Sequence, residues 1–215
     1  MVELYRELMN AIVLVGGQSQ RFGRDKLAQK IGGLRLIEHV LVRLAEISPR
    51  ILLVGSNMGL DLPPLKQSRA QWIDDIYPGK GTLGGLYTGL LASDTEHNIA
   101  VGGDMPFLNT ELLSYMLSLA PGFQAVVPRL GGYLEPLHAV YSKGCLEAIK
   151  GALEQNRLKI ADLIPTLRVR YVEEEEVNLY DPEHLSLLNI NTRADLERAR
   201  LLVGGKARPE AEAMP

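Results

Sequence analysis

Residues 11–26 read AIVLVGGQSQRFGRDK, and the change of character along this stretch decides how the chain is built. Ala11–Val15 is an apolar run of strand length that meets Gly16 and Gly17. Glycines after a buried strand let backbone N–H groups come close to a ligand, because no Cβ stands in the way. Successive N–H groups in such a turn form a concavity that binds anions. Arg21, Arg24 and Lys26 follow and add charge where a polyphosphate would sit. The stretch reads as a strand feeding a loop for a nucleoside triphosphate. The competing reading is a glycine-rich strand-to-helix turn with solvated charges.

Two commoner phosphate loops do not fit. A Walker A loop needs Gly, four residues, then Gly-Lys-Ser/Thr. Here five residues separate Gly17 from Gly23, and Arg24-Asp25 follow. The dinucleotide pattern G-x-G-x-x-G also fails, since no glycine stands two positions after Gly16 or Gly17.

Beyond this loop, short β-branched runs alternate with helical patterns. Strands are expected over 11–15, 50–54, 71–73, 98–101, 124–128, 136–141 and 167–172. Helices are expected over 36–47, 83–91, 110–119, 142–153 and 192–202. In the first of these, Ile37, Val40, Leu41, Leu44 and Ile47 form one apolar face. Thr192 and Asp195 make a capping-box pattern ahead of the last helix. The alternation predicts an α/β fold, a Rossmann-like three-layer sandwich with a mostly parallel sheet covered on both faces.

The chain has 215 residues, which suits one domain. We expect that domain to cover 1–203, with 204–215, rich in Gly, Pro, Ala and Glu, as a disordered tail. The formal charge of −3 argues against a general nucleic-acid binder. One cysteine, Cys145, allows no internal disulfide. The opening MVELYRELMN has no basic n-region, and no apolar run has the length of a membrane span. The expected location is the cytoplasm, with no membrane partner.

In open α/β sheets, ligands bind at the carboxyl ends of strands. Four polar segments follow expected strands: the Gly16–Lys26 loop, Asp74 to Gly85, Gly102-Gly103-Asp104-Met105-Pro106-Phe107, and Asn189-Ile190-Asn191-Thr192. Gathered at one edge, they would make one site. Asp104 is the metal candidate, because magnesium in triphosphate enzymes takes one or two carboxylates plus phosphate oxygens and waters. The rival reading, an Asp that caps the next helix, is weakened by Asn109 and Thr110, which are better placed for it. Asp74 and Asp75 are either ligand groups or turn formers before Pro78-Gly79. Asn189 and Asn191 either face a ligand together or fix a turn. His138 reads as a satisfied core or wall histidine. Tyr133, Leu134 and Glu135 are candidates to touch a second substrate. Glu173–Glu176 reads as a solvated strand end or loop.

With these residues in view, the sequence closely resembles the MobA family of molybdenum cofactor guanylyltransferases. The matching segments are LVGGQSQRFGRDK (14–26), the loop from Asp74 ending GTLGG, GGDMPF (102–107), EPLHAVY (135–141) and NINTRADL (189–196). They span nearly the whole chain in order. The resemblance implies a nucleotide-diphosphosugar-transferase fold. It implies transfer of GMP from GTP to the molybdopterin cofactor, with Mg²⁺ and release of pyrophosphate. Leu14, Val15, Gly16 and Gly17 would line the nucleotide, and Lys26 and Arg21 would meet its phosphates, with Arg24 as a helper. Asp74, or Asp75 if the alignment slips by one, would bind the nucleotide, and Gly85 would lie near ribose or phosphate. Asp104 would hold Mg²⁺, and Asn189 and Asn191 would stand on the acceptor side. Proteins that deliver and receive the cofactor are implied partners. Val15 replaces a usual Ala, Gly103 a frequent Cys, and Thr82 and Arg193 common prolines. Two other readings stay open: a related cytidylyl- or sugar-phosphate nucleotidyltransferase, and a nucleotide-binding regulator without catalysis.

Overall fold

The computed structural model of the protein describes residues 9–15, 26–55, 61–66 and 68–205. The loop residues Gly16, Gly17, Arg21 and Arg24, and the segment 206–215, lie outside these.

The first strand, β1 (Asn10–Leu14), is buried at every position, as a central strand covered on both faces must be. Lys26–Ala28 forms a turn of 3₁₀ helix, followed by a hairpin of β2 (Lys30–Ile31) and β3 (Leu34–Arg35). Its Gly32-Gly33 loop has φ of 56° and 96°, the positive values that a two-residue hairpin turn demands. Helix α1 (Leu36–Leu44) stops short of the expected Ile47. Pro49 drives Ser48 out of helical geometry, and the Ser48 hydroxyl instead donates to the Met9 carbonyl at 3.1 Å.

Strands β4 (Arg50–Val54) and β5 (Arg69–Ile73), helix α2 (Gly81–Ala92) and strand β6 (His97–Gly102) follow. Then come α3 (Thr110–Ser118), β7 (Ala125–Leu130), the short β8 (Tyr133–Leu134) and β9 (His138–Ser142). Pro136 and Leu137, expected in a strand, turn instead, closed by His138 N–H on the Glu135 carbonyl at 3.2 Å. The chain ends with α4 (Leu146–Glu154), α5 (Ile160–Leu163), β10 (Val169–Glu173), α6 (Glu174–Asn178) and α7 (Arg193–Gly205).

Among the described residues the sheet runs β10-β7-β9-β6-β1-β4-β5, with β8 paired to β7. Along this path β9 alone is antiparallel to its neighbours β6 and β7. The sheet is therefore mostly parallel, as the strand–helix alternation predicts. One core packs α1, α3 and α6 on one face, and a second packs α2, α4 and α5 on the other. A third, smaller core joins Ile31, Leu36, Ile190, Leu196 and Ala199, so α7 seats on the β2–β3 hairpin and the start of α1. No helix among the described residues is long and apolar enough to cross a membrane.

The carboxylates at Glu173–Glu176 stand at a strand end, as expected, but two of them are ion-paired rather than merely solvated. They end β10 and open α6, where Glu173 pairs with Arg129, and Glu176 with Arg170 at 2.5 Å and the Tyr115 hydroxyl at 2.5 Å.

Candidate active site

The carboxyl ends of β1 and β6 lie side by side, with Leu14 opposite Gly102 in parallel register. The Gly103 N–H donates to the Leu14 carbonyl at 3.1 Å, which sets the next residue, Asp104, at the sheet edge. A Cβ at Gly102 would stand 2.7 Å from Asp104 Oδ1. The carboxylate thus folds back over a position that only glycine leaves open.

Lys26 reaches the same point from the other side. Its Nζ lies 2.6 Å from Asp104 Oδ2 and 2.9 Å from Asn191 Oδ1. The lysine side chain is only 8% exposed and the aspartate 23%, so this ion pair sits in a recess rather than on open surface. An ammonium has three N–H donors. Among the described residues Asp104 and Asn191 take two, which leaves one for an incoming anion. Ile190 N–H donates to the Asp104 backbone carbonyl at 3.0 Å, so the 190–191 segment holds both partners. Lys26, Asp104 and Asn191, far apart in sequence, converge as expected.

The other expected residues divide. Leu14 and Val15 are buried at the end of β1. Asp74 is exposed at the end of β5, with no hydrogen-bond partner among the described residues, so its carboxylate is available. Asp75 is committed: it accepts from Tyr77 N–H and from the Thr88 hydroxyl, both at 2.9 Å, and fixes the entry to α2. Asn189 turns away and donates to the Leu187 carbonyl at 3.2 Å. Gly85 is buried inside α2, where a Cβ would lie 3.2 Å from Leu14 Cδ2. Its visible role is to bring that helix close to β1. Asn109 caps α3 through Glu111 and Leu112 N–H, so Asp104 is free of that duty.

His138 lies in the core as expected but is not satisfied. It is fully buried, and neither ring nitrogen has a hydrogen-bond partner among the described residues. Burial lowers its pKa to about 4, against a small upward pull from Asp181. It is neutral at neutral pH. Cys145 is buried too, and burial pushes its thiol up to about 12, which removes it as a nucleophile. Glu135, at the turn before β9, is half-buried, and burial raises its pKa.

Among the described residues no group of three or more His, Cys, Asp or Glu could hold a metal ion. Asp104 nevertheless fits Mg²⁺. Its Oδ1 accepts no hydrogen bond among the described residues, and this ion typically needs one or two carboxylates beside phosphate oxygens and water.

Residues 11–168 match the family model described as the MobA-like NTP transferase domain. The chain belongs to the MobA-like NTP transferase family. It is 34% identical, over 89% of its length and 91% of the relative's, to a probable molybdenum cofactor guanylyltransferase of Pelotomaculum thermopropionicum. It is 31% identical, over 92% and 96%, to the molybdenum cofactor guanylyltransferase of Desulfosudis oleivorans. The crystal structure of molybdopterin-guanine dinucleotide biosynthesis protein A from Archaeoglobus fulgidus superposes with a TM-score of 0.77 at 28% identity, covering 92% of this chain and 100% of that one. The chain is therefore a nucleotidyltransferase of MobA type. Gly103 and Val15 face each other: a side chain at Gly103 would lie 3.4 Å from Val15 Cγ2. The larger Val15 fills room beside a smaller neighbour. Arg193 opens α7, at a helix position that also suits proline.

What sequence reasoning missed is the β2–β3 hairpin and its packing against α7, a helix it did expect. The signal was present, since Ile31-Gly32-Gly33-Leu34 is a Gly-Gly pair between apolar residues.

Proposed function

We propose that this protein transfers GMP from GTP to the terminal phosphate of the molybdopterin cofactor, with Mg²⁺, and releases pyrophosphate. The observation that carries the proposal is the convergence of Lys26, Asp104 and Asn191 in one recess at the carboxyl edge of the sheet. The names of the relatives supply the choice of substrates.

The reaction joins an oxygen of the acceptor phosphate to the α-phosphorus of GTP. The bond from that phosphorus to the bridging oxygen breaks, and pyrophosphate leaves with the electron pair. A phosphate monoester is already anionic near neutral pH, so the nucleophile needs no general base. That agrees with the seclusion of His138 in the core. The difficulty is charge, since anionic groups must meet in line. Lys26 offsets charge on the phosphates, with Arg21 and Arg24 as further cations from the loop. Asp104 is the carboxylate that would hold Mg²⁺, with Asn191 beside it. When bound, the ion polarises phosphate oxygens and steadies the leaving group. Asp74 is the available carboxylate for the nucleotide on the β5 side.

The test is to mix the protein with molybdenum-loaded molybdopterin, Mg²⁺ and GTP, CTP, ATP or UTP in turn, and to follow pyrophosphate and product mass. A guanine dinucleotide formed with GTP supports the proposal. A cytidine product would reassign the donor, and binding without pyrophosphate would make the protein a sensor. In the same assay Lys26→Ala and Asp104→Asn should each lower kcat by about 10² to 10³, the usual cost of removing one charge-stabilising group. Both should stay folded. A loss of thermal stability as large as that of a core deletion would mark Lys26 as structural.

A further inference from the structure

The pair Lys26–Asp104 is held by a segment whose own anchor lies outside the recess. Asn191 is exposed, so packing does not fix it. Its backbone is fixed by Asp195. One oxygen of that carboxylate, Oδ2, accepts from Asn191 N–H at 2.9 Å and from Thr192 N–H at 2.7 Å. In return the Thr192 hydroxyl accepts from Asp195 N–H at 3.1 Å. A capping box requires only the exchange between Thr192 and Asp195. The bond to Asn191 goes beyond the cap and pins the residue whose carboxamide touches Lys26. Ile190, next in the chain, is 1% exposed in the third core and binds the Asp104 carbonyl. One side of the segment is thus anchored by packing and the other by a single carboxylate. Burial alone would raise the Asp195 pKa. Hydrogen bonds from Asn191 and Thr192 and the charge of Lys26 outweigh it and hold the group below the ordinary aspartate value, so it stays an acceptor through the neutral range.

We propose that Asp195 is a positioning residue for nucleotidyl transfer: through the Asn191 backbone it sets the carboxamide that aims the Lys26 ammonium at the substrate phosphates. The proposal rests on the reading of the recess as a nucleotidyl-transfer site. It predicts that Asp195 acts on chemistry without touching substrate.

The controls come from the same capping box. Thr192→Ala removes the acceptor for Asp195 N–H but leaves the carboxylate on Asn191. Asp195→Ala does the reverse: it removes the carboxylate from Asn191 N–H and Thr192 N–H but leaves the Thr192 hydroxyl on the backbone N–H of position 195. Asp195→Asn keeps an acceptor oxygen. Both alanine variants should lower Tm by a few degrees, as loss of a cap does. Only Asp195→Ala should also lower kcat, about tenfold at saturating substrates. It should weaken GTP binding measured by calorimetry with Mg²⁺ and no acceptor. Asp195→Asn should stay within about threefold of the parent. In an Asn191→Ala background, Asp195→Ala should have little further effect on kcat or on GTP affinity, because its route has been removed.

Equal kinetics for the two alanine variants would overturn the proposal, as would additive effects in the Asn191→Ala background. Should Asp195→Ala fail to fold, Asp195→Asn is read with Asn191→Ala: an Asp195→Asn enzyme as impaired as Asn191→Ala counts against it. The GTP-binding arm needs no product. It therefore reports on Asp195 even if the acceptor proves to be something other than molybdopterin.

Discussion

His138 has a ring closed off from solvent, with no hydrogen-bond partner for either nitrogen among the described residues. Its folded pKa of about 4 lies below the ordinary 6.5. Between those values the unfolded chain binds a proton that the folded chain refuses. Stability is therefore complete above pH 6.5 and declines as pH falls toward 4, by something on the order of 3 kcal/mol. Replacement by leucine removes both the proton site and the unpaired nitrogens. His138→Leu should unfold at the same or higher temperature at pH 7.5 and lose much of the acid sensitivity between pH 6.5 and 4.5. A scan of thermal midpoint against pH checks this, and an unchanged acid limb would clear His138 of the effect. Lys26 and Asp104 were legible because a charged residue next to glycines at a strand end has few structural uses. Asn191 was legible only as half of a pair. Nothing in the spacing separates Asn189, which closes a turn, from Asn191, which enters the recess; that depends on backbone angles in an irregular segment.

At the scale of elements, α2 shows how glycine content can work against helix propensity for the sake of packing. Its Gly84, Gly85 and Gly89 are all buried. A Cβ at Gly89 would stand 2.5 Å from Ile12 Cγ2, inside contact distance, so the helix lies closer to β1 than alanine allows. Alanine at a helix interior normally gains about 1 kcal/mol over glycine. Here overpacking costs about 1–3 kcal/mol against a core side chain with no room to yield. Gly89→Ala should therefore lower stability by up to about 2 kcal/mol in urea unfolding; a rise would mean that the helix has slack. The strand–helix order was readable from hydrophobic period, and Arg50–Val54 falls where expected. Boundaries moved where residues outside the period intervene. Pro49 does so after α1. Before α4 it is Ser142, whose hydroxyl accepts from Gly144 N–H, so that a 3₁₀ turn precedes the helix. The reversal at β9 was not readable, because an antiparallel buried strand has the same apolar pattern as a parallel one.

For the molecule as a whole, the third core carries more than its size suggests. Leu196 and Ala199 of α7 meet Ile31 and Leu36, on either side of the β2–β3 turn, and Ile190 beside the recess. The hairpin that follows Lys26 and the segment bearing Asn191 are thereby one packed unit. Leu196, 4% exposed, is its larger buried residue from α7. Leu196→Ala should cost about 2–4 kcal/mol. It should also weaken GTP binding, since both holders of the recess lose a common support. Denaturant unfolding and calorimetric titration test the two effects together, and a stability loss with unaltered GTP affinity would separate the core from the site.

This arrangement sets an order of events during synthesis. A chain leaving the ribosome presents Lys26 before Asp104, and Asn191 with its anchor Asp195 only after β10. The half-made protein can thus lay down its sheet while its phosphate grip is still missing a finger. Nucleotide capture becomes a mark of a chain whose sheet is already laid down.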